Sequence, residues 1–451
     1  MKQAANCTER RRFLKRCTFL SLHAIVSVLL AINSASGQQR NSPPEPRDIE
    51  LHANEKSVIV RPIDQLVEFE QAAISNNPNI ASLNSRIQQL RFARQRAGIY
   101  PDVQIGFSAQ EVGIEGAAGQ MGAFVNQTLV RGGKLELDQS IIGHEIERMQ
   151  QRVAIQQLRI QTEVRIAFYD AAIGQRRIKL QDRLVKDHRT REGFVKRLVD
   201  VGELPSSELL YARRRFDKAI VARNAVRSRQ TLVWRRLATL VNDPGLRQIE
   251  LRIDLEDFGK ELQWDASLEQ ILATSPVIAE RMKRIDEQNC AIARACAERY
   301  QDVSASLGVF HDHASSDEFV AVQASIPISR KPRIQTLVAE QRAKLAEFEN
   351  DVQAIRMRIT NEFAEEFSRY KVAFETATTY VNEILPRHNE TQAIALKAFR
   401  FKEISRLDLV IAEIAFLEAQ SNYLDELELF WRSKHRIDGF LLDRNTSFLD
   451  E

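Results

Sequence analysis

Two acidic residues at equivalent places in the chain are the first candidates for function. Glu208 and Asp408 each follow a short polar break between two long runs of helical character. In both cases a leucine follows the acid directly, and an alanine follows four positions later. Such carboxylates could attract cations, but an acid in the first turn of a helix also has a structural use, because the helix dipole stabilises it. The two residues by themselves favour neither role.

The segment His311-Asp312-His313 is a second candidate, because imidazole and carboxylate groups bind divalent metals. It falls in a predicted hairpin loop. Three ligands need a fourth ligand and a fixed geometry, so a solvated polar loop is the favoured interpretation. No metal site is therefore predicted.

Other chemical motifs do not appear in the sequence. It contains no glycine-rich phosphate loop, Ser-His-Asp spacing, Cys-His zinc pattern or nucleotide fingerprint. Its net charge is only +3, from 64 basic and 61 acidic residues, which gives no bulk case for nucleic-acid binding. We expect a protein that is not an enzyme and has no cofactor.

The elements that position the two acids are predicted to be long helices. Glycine (17) and proline (12) are scarce in 451 residues and 28% of residues are charged, a mixture that favours helices with few turns. Apolar residues recur every seven positions at Ile146, Val153, Ile160 and Ala167, which keeps one seam facing a partner helix. The predicted helices are Pro62–Ile99, Lys134–Val199, Ser206–Val241, Ser267–Tyr300, Arg333–Phe399 and Ser405–Ile437.

Four strands are predicted in two pairs, within residues 102–130 and 302–328. Val103, Ile105, Phe107 and Ala109 alternate with polar or small residues, the period of a sheet with unlike faces. Each strand is about as long as a tilted strand that crosses the hydrocarbon layer of a membrane. The alternative is a set of surface strands on a soluble helical protein.

The chain is an internal duplication. Asn77-Pro78 matches Ser275-Pro276, and Tyr100 matches Tyr300, at offsets near 200. Each half has the order helix, two strands, long helix, tip, helix. We assign residues 63–244 to the first repeat (tip 200–206), 245–264 to a connector, 265–440 to the second repeat (tip 400–406) and 441–451 to a tail.

The N-terminus has the pattern of a secretory signal over residues 1–37. A basic region is followed by an apolar stretch and by the small residues Ala35, Ser36 and Gly37. Arg10-Arg11-Arg12 also leaves open a twin-arginine signal, and a membrane anchor is a further alternative. Residues 38–62, which are polar and proline-rich, are predicted to form an extended arm.

The strands and helices together require several copies of the chain. Four strands cannot close a barrel, and open sheet edges are not tolerated in lipid. Three copies would supply about twelve strands, within the range of known barrels. The long helices would each span roughly 100 Å and need neighbours along that length.

A set of short motifs recurs in a fixed order along the chain: Asn77-Pro78, Gly132-Gly133-Lys134, Ser275-Pro276, Ser325-Ile326-Pro327-Ile328, Lys331-Pro332 and Leu407-Asp408-Leu409 through Leu417-Glu418-Ala419-Gln420. With these motifs and this organisation, the sequence resembles the TolC family of outer-membrane efflux proteins, over nearly all of the chain after the signal. The Gly-Gly-Lys junction resembles the branch of that family that serves heavy-metal cation efflux.

The resemblance implies a mainly α fold with a small β part. It implies a homotrimer in which a coiled-coil α-helical barrel in the periplasm continues a β-barrel in the outer membrane. A periplasmic adaptor and an RND-type inner-membrane pump would be the partners, and this chain would supply the passive exit duct for metal cations or drugs.

In that family the tips close the tunnel, and an acid after the second tip lines the constriction. Asp408 matches this position and Glu208 is its repeat partner, so three chains would bring together about six carboxylates that favour cations. Ile411 stands where a second acid is common, and Lys402 stands where the family usually has glycine. The tip residues expected to form the turns and contact the adaptor are Gly202, Glu203, Leu204, Lys402, Glu403 and Ile404.

Two other functions stay open from the sequence. One is the outer-membrane duct of a type I protein secretion system, which only the pump partner would distinguish. The other is a periplasmic coiled-coil adaptor or scaffold. An adaptor is expected to carry a β-rich lipoyl-like segment between the arms of a hairpin and no amphipathic strand pairs, and the sequence fits neither expectation.

Overall fold

The computed structural model describes residues 66–113, 119–328 and 331–442. The predicted signal peptide and N-terminal arm lie outside these ranges, as does most of the predicted C-terminal tail. The first repeat contains α1 (Leu66–Ser75), α2 (Pro78–Ala97), β1 (Gln104–Gln110), β2 (Gln120–Leu129), α3 (Lys134–Asp200) and α4 (Ser206–Val241). The second contains α5 (Trp264–Thr274), α6 (Pro276–Ala297), β3 (Val303–Asp312), β4 (Asp317–Ser325), α7 (Lys331–Thr379), α8 (Leu385–Arg400) and α9 (Arg406–Asp438). The same order of elements in both halves agrees with the predicted duplication.

The first helix of each repeat is broken, whereas the sequence predicted it to be continuous. The break follows from a proline at the start of the second piece, Pro78 in α2 and Pro276 in α6, where the missing N–H is harmless. In the first repeat the Asn77 side chain also caps α2, because its Oδ1 accepts from the N–H groups of Asn79 (2.9 Å) and Ile80 (3.2 Å).

The second long helix is also interrupted, which contradicts the prediction of one helix over Arg333–Phe399. A π-helical turn at Tyr380–Ile384 separates α7 from α8. The N–H of Leu385 donates to the carbonyl of Tyr380, five residues back. Pro386 is the physical cause, since it lacks an N–H and its ring crowds the preceding turn of an α-helix.

The main hydrophobic core lies at the middle of α3. Phe168 and Ala171 of α3 pack there with Phe69 of α1, Leu237 of α4 and Phe430 of α9, and all five are nearly or fully buried. The segment between α4 and α5 crosses the same core. The Trp431 indole N–H donates to the carbonyl of Leu255 (3.1 Å), and the Leu262 N–H donates to the hydroxyl of Tyr370 (3.0 Å).

The four strands form one antiparallel sheet in the order β1-β2-β3-β4. The central pairing, β2 with β3, joins the two repeats and runs from Leu129↔Val303 to Gln120↔Asp312. Among the described residues, β1 and β4 each pair along one edge only.

The turn from β2 into α3 depends on two glycines. Gly132 and Gly133 have φ angles of 79° and 70°, the left-handed region that glycine adopts readily. The turn buries Lys134, whose Nζ lies 3.1 Å from Asp302 and 3.5 Å from Glu298 of the second repeat. The Gly-Gly-Lys segment therefore ties one repeat to the other beside the sheet.

Candidate functional site

The first tip is a Schellman turn that ends α3. The Glu203 N–H donates to the carbonyl of Leu198 (2.8 Å), and the Gly202 N–H donates to that of Val199 (3.0 Å). Gly202 occupies the left-handed position with φ of 81°. The Leu204 N–H also reaches the Leu198 carbonyl at 3.3 Å, and α4 begins two residues later, after Pro205.

The second tip repeats this turn 200 residues later. The Glu403 N–H donates to the carbonyl of Ala398 (2.9 Å), and the Lys402 N–H donates to that of Phe399 (3.0 Å). Lys402 takes the left-handed position, with φ of 61°. The side chains of Glu203 and Glu403 are exposed, while Leu204 and Ile404 are half-buried at equivalent places.

The two candidate acids differ in what their carboxylates do. Asp408 closes a capping box with Ser405: the Asp408 N–H donates to the Ser405 hydroxyl oxygen (3.2 Å), and Asp408 Oδ2 accepts from the Ser405 backbone N–H (3.0 Å). The Ser405 hydroxyl also lies 2.7 Å from Oδ2. Pro205 stands at the corresponding cap of α4 and provides no such partner for Glu208. Both acids are exposed, so Glu208 is free to face solvent while Asp408 is engaged through one oxygen.

The tips are separate turns in the chain. Among the described residues, no hydrogen bond or ion pair joins residues 200–208 to residues 400–408. The structure thus places each predicted tip residue in a tip, but it does not link the two tips within one chain.

An ion network that the sequence did not reveal ties the two hairpins together farther from the tips. Glu428 of α9 is buried and contacts Arg177 of α3 (3.0 Å), Arg229 of α4 and Arg432 of α9 (2.8 Å). Arg432 also holds Asp170 of α3 through two hydrogen bonds of 2.9 and 2.8 Å. Nothing in the helical periodicity marks these partners, because they meet across helices far apart in sequence.

A second buried group on α9 is His435. Its ring lies 4.5 Å from that of Tyr169 and stacks on Trp431 at 5.4 Å between centroids. Neither ring nitrogen has a hydrogen-bond partner among the described residues. Burial, with help from Arg165 and Lys434, lowers the pKa of His435 to about 3, so the imidazole is neutral.

The sheet has two unlike faces, as its alternation predicts. One face carries aliphatic and aromatic side chains that point away from the protein, with Ile105 80% and Val322 78% exposed. The register places them in rows across the strands, such as Ile105, Val125, Leu307 and Val322. The opposite face is mostly glutamine, serine, threonine and asparagine, with Phe124, Phe310 and Phe319 among them.

The described helices contain no candidate for a membrane span of sufficient length and apolar character. No group of three or more His, Cys, Asp or Glu side chains in the described ranges could hold a metal ion. His311 lies near the end of β3 rather than in the predicted loop. The centroid of its ring is 4.8 Å from that of the His313 ring.

Comparisons with known proteins identify the fold. No protein-family model matches the chain, and no curated protein matches its sequence. Among solved structures, the chain is similar to CusC, with a TM-score of 0.68, 15% identity, and coverage of 90% of this chain and 98% of CusC. It is similar to the outer-membrane channel OprN, with a TM-score of 0.68, 16% identity, and coverage of 90% of this chain and 98% of OprN.

A third similar structure is the open state of the outer-membrane channel MtrE of Neisseria gonorrhoeae. The TM-score is 0.66 at 14% identity, and the match covers 90% of this chain and 97% of MtrE. This chain therefore has the same fold as these solved structures, mainly helical with a small antiparallel sheet.

Proposed function

We propose that this chain is the outer-membrane duct of a tripartite efflux system. Three copies form a β-barrel in the outer membrane and an α-helical tunnel in the periplasm, where most of the chain lies. The duct is passive and is supplied by an RND-type inner-membrane pump through a periplasmic adaptor. The similarity of the fold to known channels supports this proposal.

The sheet is the observation that carries the proposal. An exposed apolar face is unfavourable in water but is the natural outer face of a barrel in lipid. β2, β3 and β4, with 9 or 10 residues, suit a tilted crossing, whereas β1 has 7 residues. The outer edges of β1 and β4 are available for pairing, so each copy has one strand for each of its two neighbours. This pairing closes the barrel and leaves no open sheet edge in the lipid.

The helices support a tunnel on the periplasmic side. Helix α3 has 67 residues and spans about 100 Å. Shorter helices of both repeats, α1, α2, α4, α6 and α9, pack along it. A tunnel of this length brings the tips far from the sheet, to the place where an adaptor would meet them.

The tips are proposed as the gate and the adaptor contact. Glu208 and Asp408 of three chains give a ring of carboxylates that favours cations. In these turns Gly202, Glu203, Lys402 and Glu403 are exposed and available to the adaptor, with the half-buried Leu204 and Ile404 beside them. Transport of metal cations stays a hypothesis within this proposal: CusC is similar to the chain, but OprN and MtrE are similar to the same degree.

Extraction and conductance test the proposal. Outer membranes from cells that express the full chain are extracted with detergent, and the purified protein is examined by unheated gel electrophoresis and in planar bilayers. A heat-modifiable trimer with single-channel conductance is expected. A soluble monomer in the periplasmic fraction would contradict a membrane duct and favour the scaffold alternative.

A further inference from the structure

Three phenylalanines stand on the otherwise polar face of the sheet. Phe310 of β3 pairs with Gly122 on one side and with Phe319 on the other. Phe124 of β2 lies one row away, between Gly106 and Gly308. Phe124, Phe310 and Phe319 are called the aromatic patch below.

Glycines beside the patch let the rings lie over the backbone of the neighbouring strands. A Cβ atom at Gly106 would come within 2.5 Å of the Phe124 ring, and one at Gly122 or Gly308 would come equally close to the Phe310 ring. The rings of Phe310 and Phe319 are stacked, with 5.7 Å between centroids and 20° between planes. The patch is thus an aromatic surface spread along the sheet.

The remainder of this face offers little else for recognition. Along the described strands it carries uncharged residues until Asp312 and Asp317, which stand at the end next to the β3–β4 turn. Between the helices and Asp312, this face of the described strands therefore has no charged group that could interact with a hydrated ion. Aromatic stacking and apolar contact are the interactions that this face can provide.

Within the proposed duct, on which this inference rests, the polar face lines the lumen because the apolar face meets lipid. We propose that the aromatic patch is a contact site for aromatic and lipophilic solutes as they leave the duct. Three copies bring about nine rings around one lumen. The cargo class that suits this wall is flat, apolar organic compounds, including organic cations.

A purely structural role for the patch has to be separated from solute binding, because rings packed over glycine also stabilise a sheet. Comparing two permeant cations of equal charge distinguishes the structural role from solute binding. Tetraphenylphosphonium carries four aromatic rings and tetrabutylammonium carries none, so the carboxylates at the tips act on both while only the first can stack on the patch.

The experiment measures block of single-channel current by each cation in planar bilayers, with the trimer formed by the full chain. The test variant is Phe124→Leu/Phe310→Leu/Phe319→Leu, which retains apolar volume, and a milder second variant is Phe319→Ser, since Phe319 is 38% exposed. The matched control is Phe107→Leu, which removes a ring from the lipid-facing side of the same sheet.

For the triple variant we expect block by tetraphenylphosphonium to weaken about 5-fold or more, since several aromatic contacts are lost. Block by tetrabutylammonium should stay unchanged in the triple variant, and Phe107→Leu should match the unaltered chain in block by both cations and in conductance. If block by the two cations weakens equally, or if block weakens in neither patch variant, the aromatic patch is not a solute site. Either result leaves the proposed duct unaffected. A protein without conductance overturns the duct and this inference together.

Discussion

Gly202 and Lys402 occupy equivalent left-handed positions at the two tips, with φ angles of 81° and 61°. Gly202 follows α3 and Lys402 follows α8, and both turns have the same pair of hydrogen bonds, 200 residues apart. Only glycine adopts this conformation without steric cost, so the second tip carries backbone strain that the first avoids. This difference makes the second tip the one whose conformation is easier to alter.

Lys402→Gly should therefore stabilise the second tip. Relief of the left-handed strain is worth about 1 kcal/mol. Slower amide hydrogen exchange at Glu403 and its neighbours would report it. Lys402→Ala is the matched control, because it removes the same charge and keeps a Cβ at the strained position. Equal protection from hydrogen exchange in the glycine and alanine variants would show that the charge of Lys402, rather than its backbone conformation, limits the stability of the second tip.

A second prediction separates the two roles of Asp408. Ser405→Ala removes the cap partner and should cost about 1 kcal/mol of stability, measured as a lower melting temperature in detergent. It leaves the carboxylate in place, so cation selectivity in planar bilayers should hold. Asp408→Asn should lower the selectivity, because it removes charge from the mouth of the proposed duct.

One result of the Asp408→Asn measurement would contradict a role of Asp408 in cation selectivity. If Asp408→Asn leaves the cation selectivity unchanged, Asp408 acts only as a helix cap. Glu208→Gln provides the comparison, because Glu208 has no capping partner and should affect selectivity with little effect on melting.

Much of the fold could be predicted from the sequence, for identifiable reasons. The alternation at Val103, Ile105 and Phe107 predicts a two-faced sheet, and the structure has that sheet. The breaks before Pro78 and Pro276 have a signal in Asn-Pro and Ser-Pro, but the predicted helices Pro62–Ile99 and Ser267–Tyr300 run through them without interruption. The capping box was readable as well, since Ser405 stands three residues before Asp408.

Other features had no signal in the local pattern. The π-turn depends on how the helix adapts around Pro386, and proline alone does not say whether a helix bends, breaks or widens. The contacts of Glu428 depend on which helices become neighbours. The aromatic patch was missed because its three phenylalanines sit at positions that the alternation assigns to the polar face.

Glu428 should prove important for holding the hairpins together. Glu428→Gln keeps the shape but removes the charge that Arg177, Arg229 and Arg432 share. Arg177 retains Asp425 at 2.5 Å and Arg432 retains Asp170, so we expect a loss of about 1–3 kcal/mol rather than unfolding.

The measurement for this variant is the melting temperature of the purified protein in detergent. Glu426→Gln is the control, because Glu426 is a neighbouring acid with no ion pair in the described part of the chain. A similar shift for both variants would mean that helix charge, and not the network, sets the stability.

The last prediction concerns acid sensitivity at His435. Its pKa is lowered to about 3 in the folded chain, against about 6.5 for a free imidazole. The neutral form is favoured by folding, so this contribution to stability is complete above pH 6.5. It is lost as the pH falls below that value, by up to about 1.4 kcal/mol per pH unit.

The variant that tests this relationship is His435→Phe, which fills the same space between Tyr169 and Trp431 and does not titrate. Burial raises the pKa of nearby Asp438, and that group favours the folded state at low pH, so it cannot explain a loss there. The difference between the melting temperatures at pH 7.5 and pH 5.0 should be smaller in His435→Phe than in the unaltered chain. Part of the difference remains, because burial also lowers the pKa of His188. If the drop between the two pH values is the same in both proteins, His435 is not the group that makes the fold sensitive to acid.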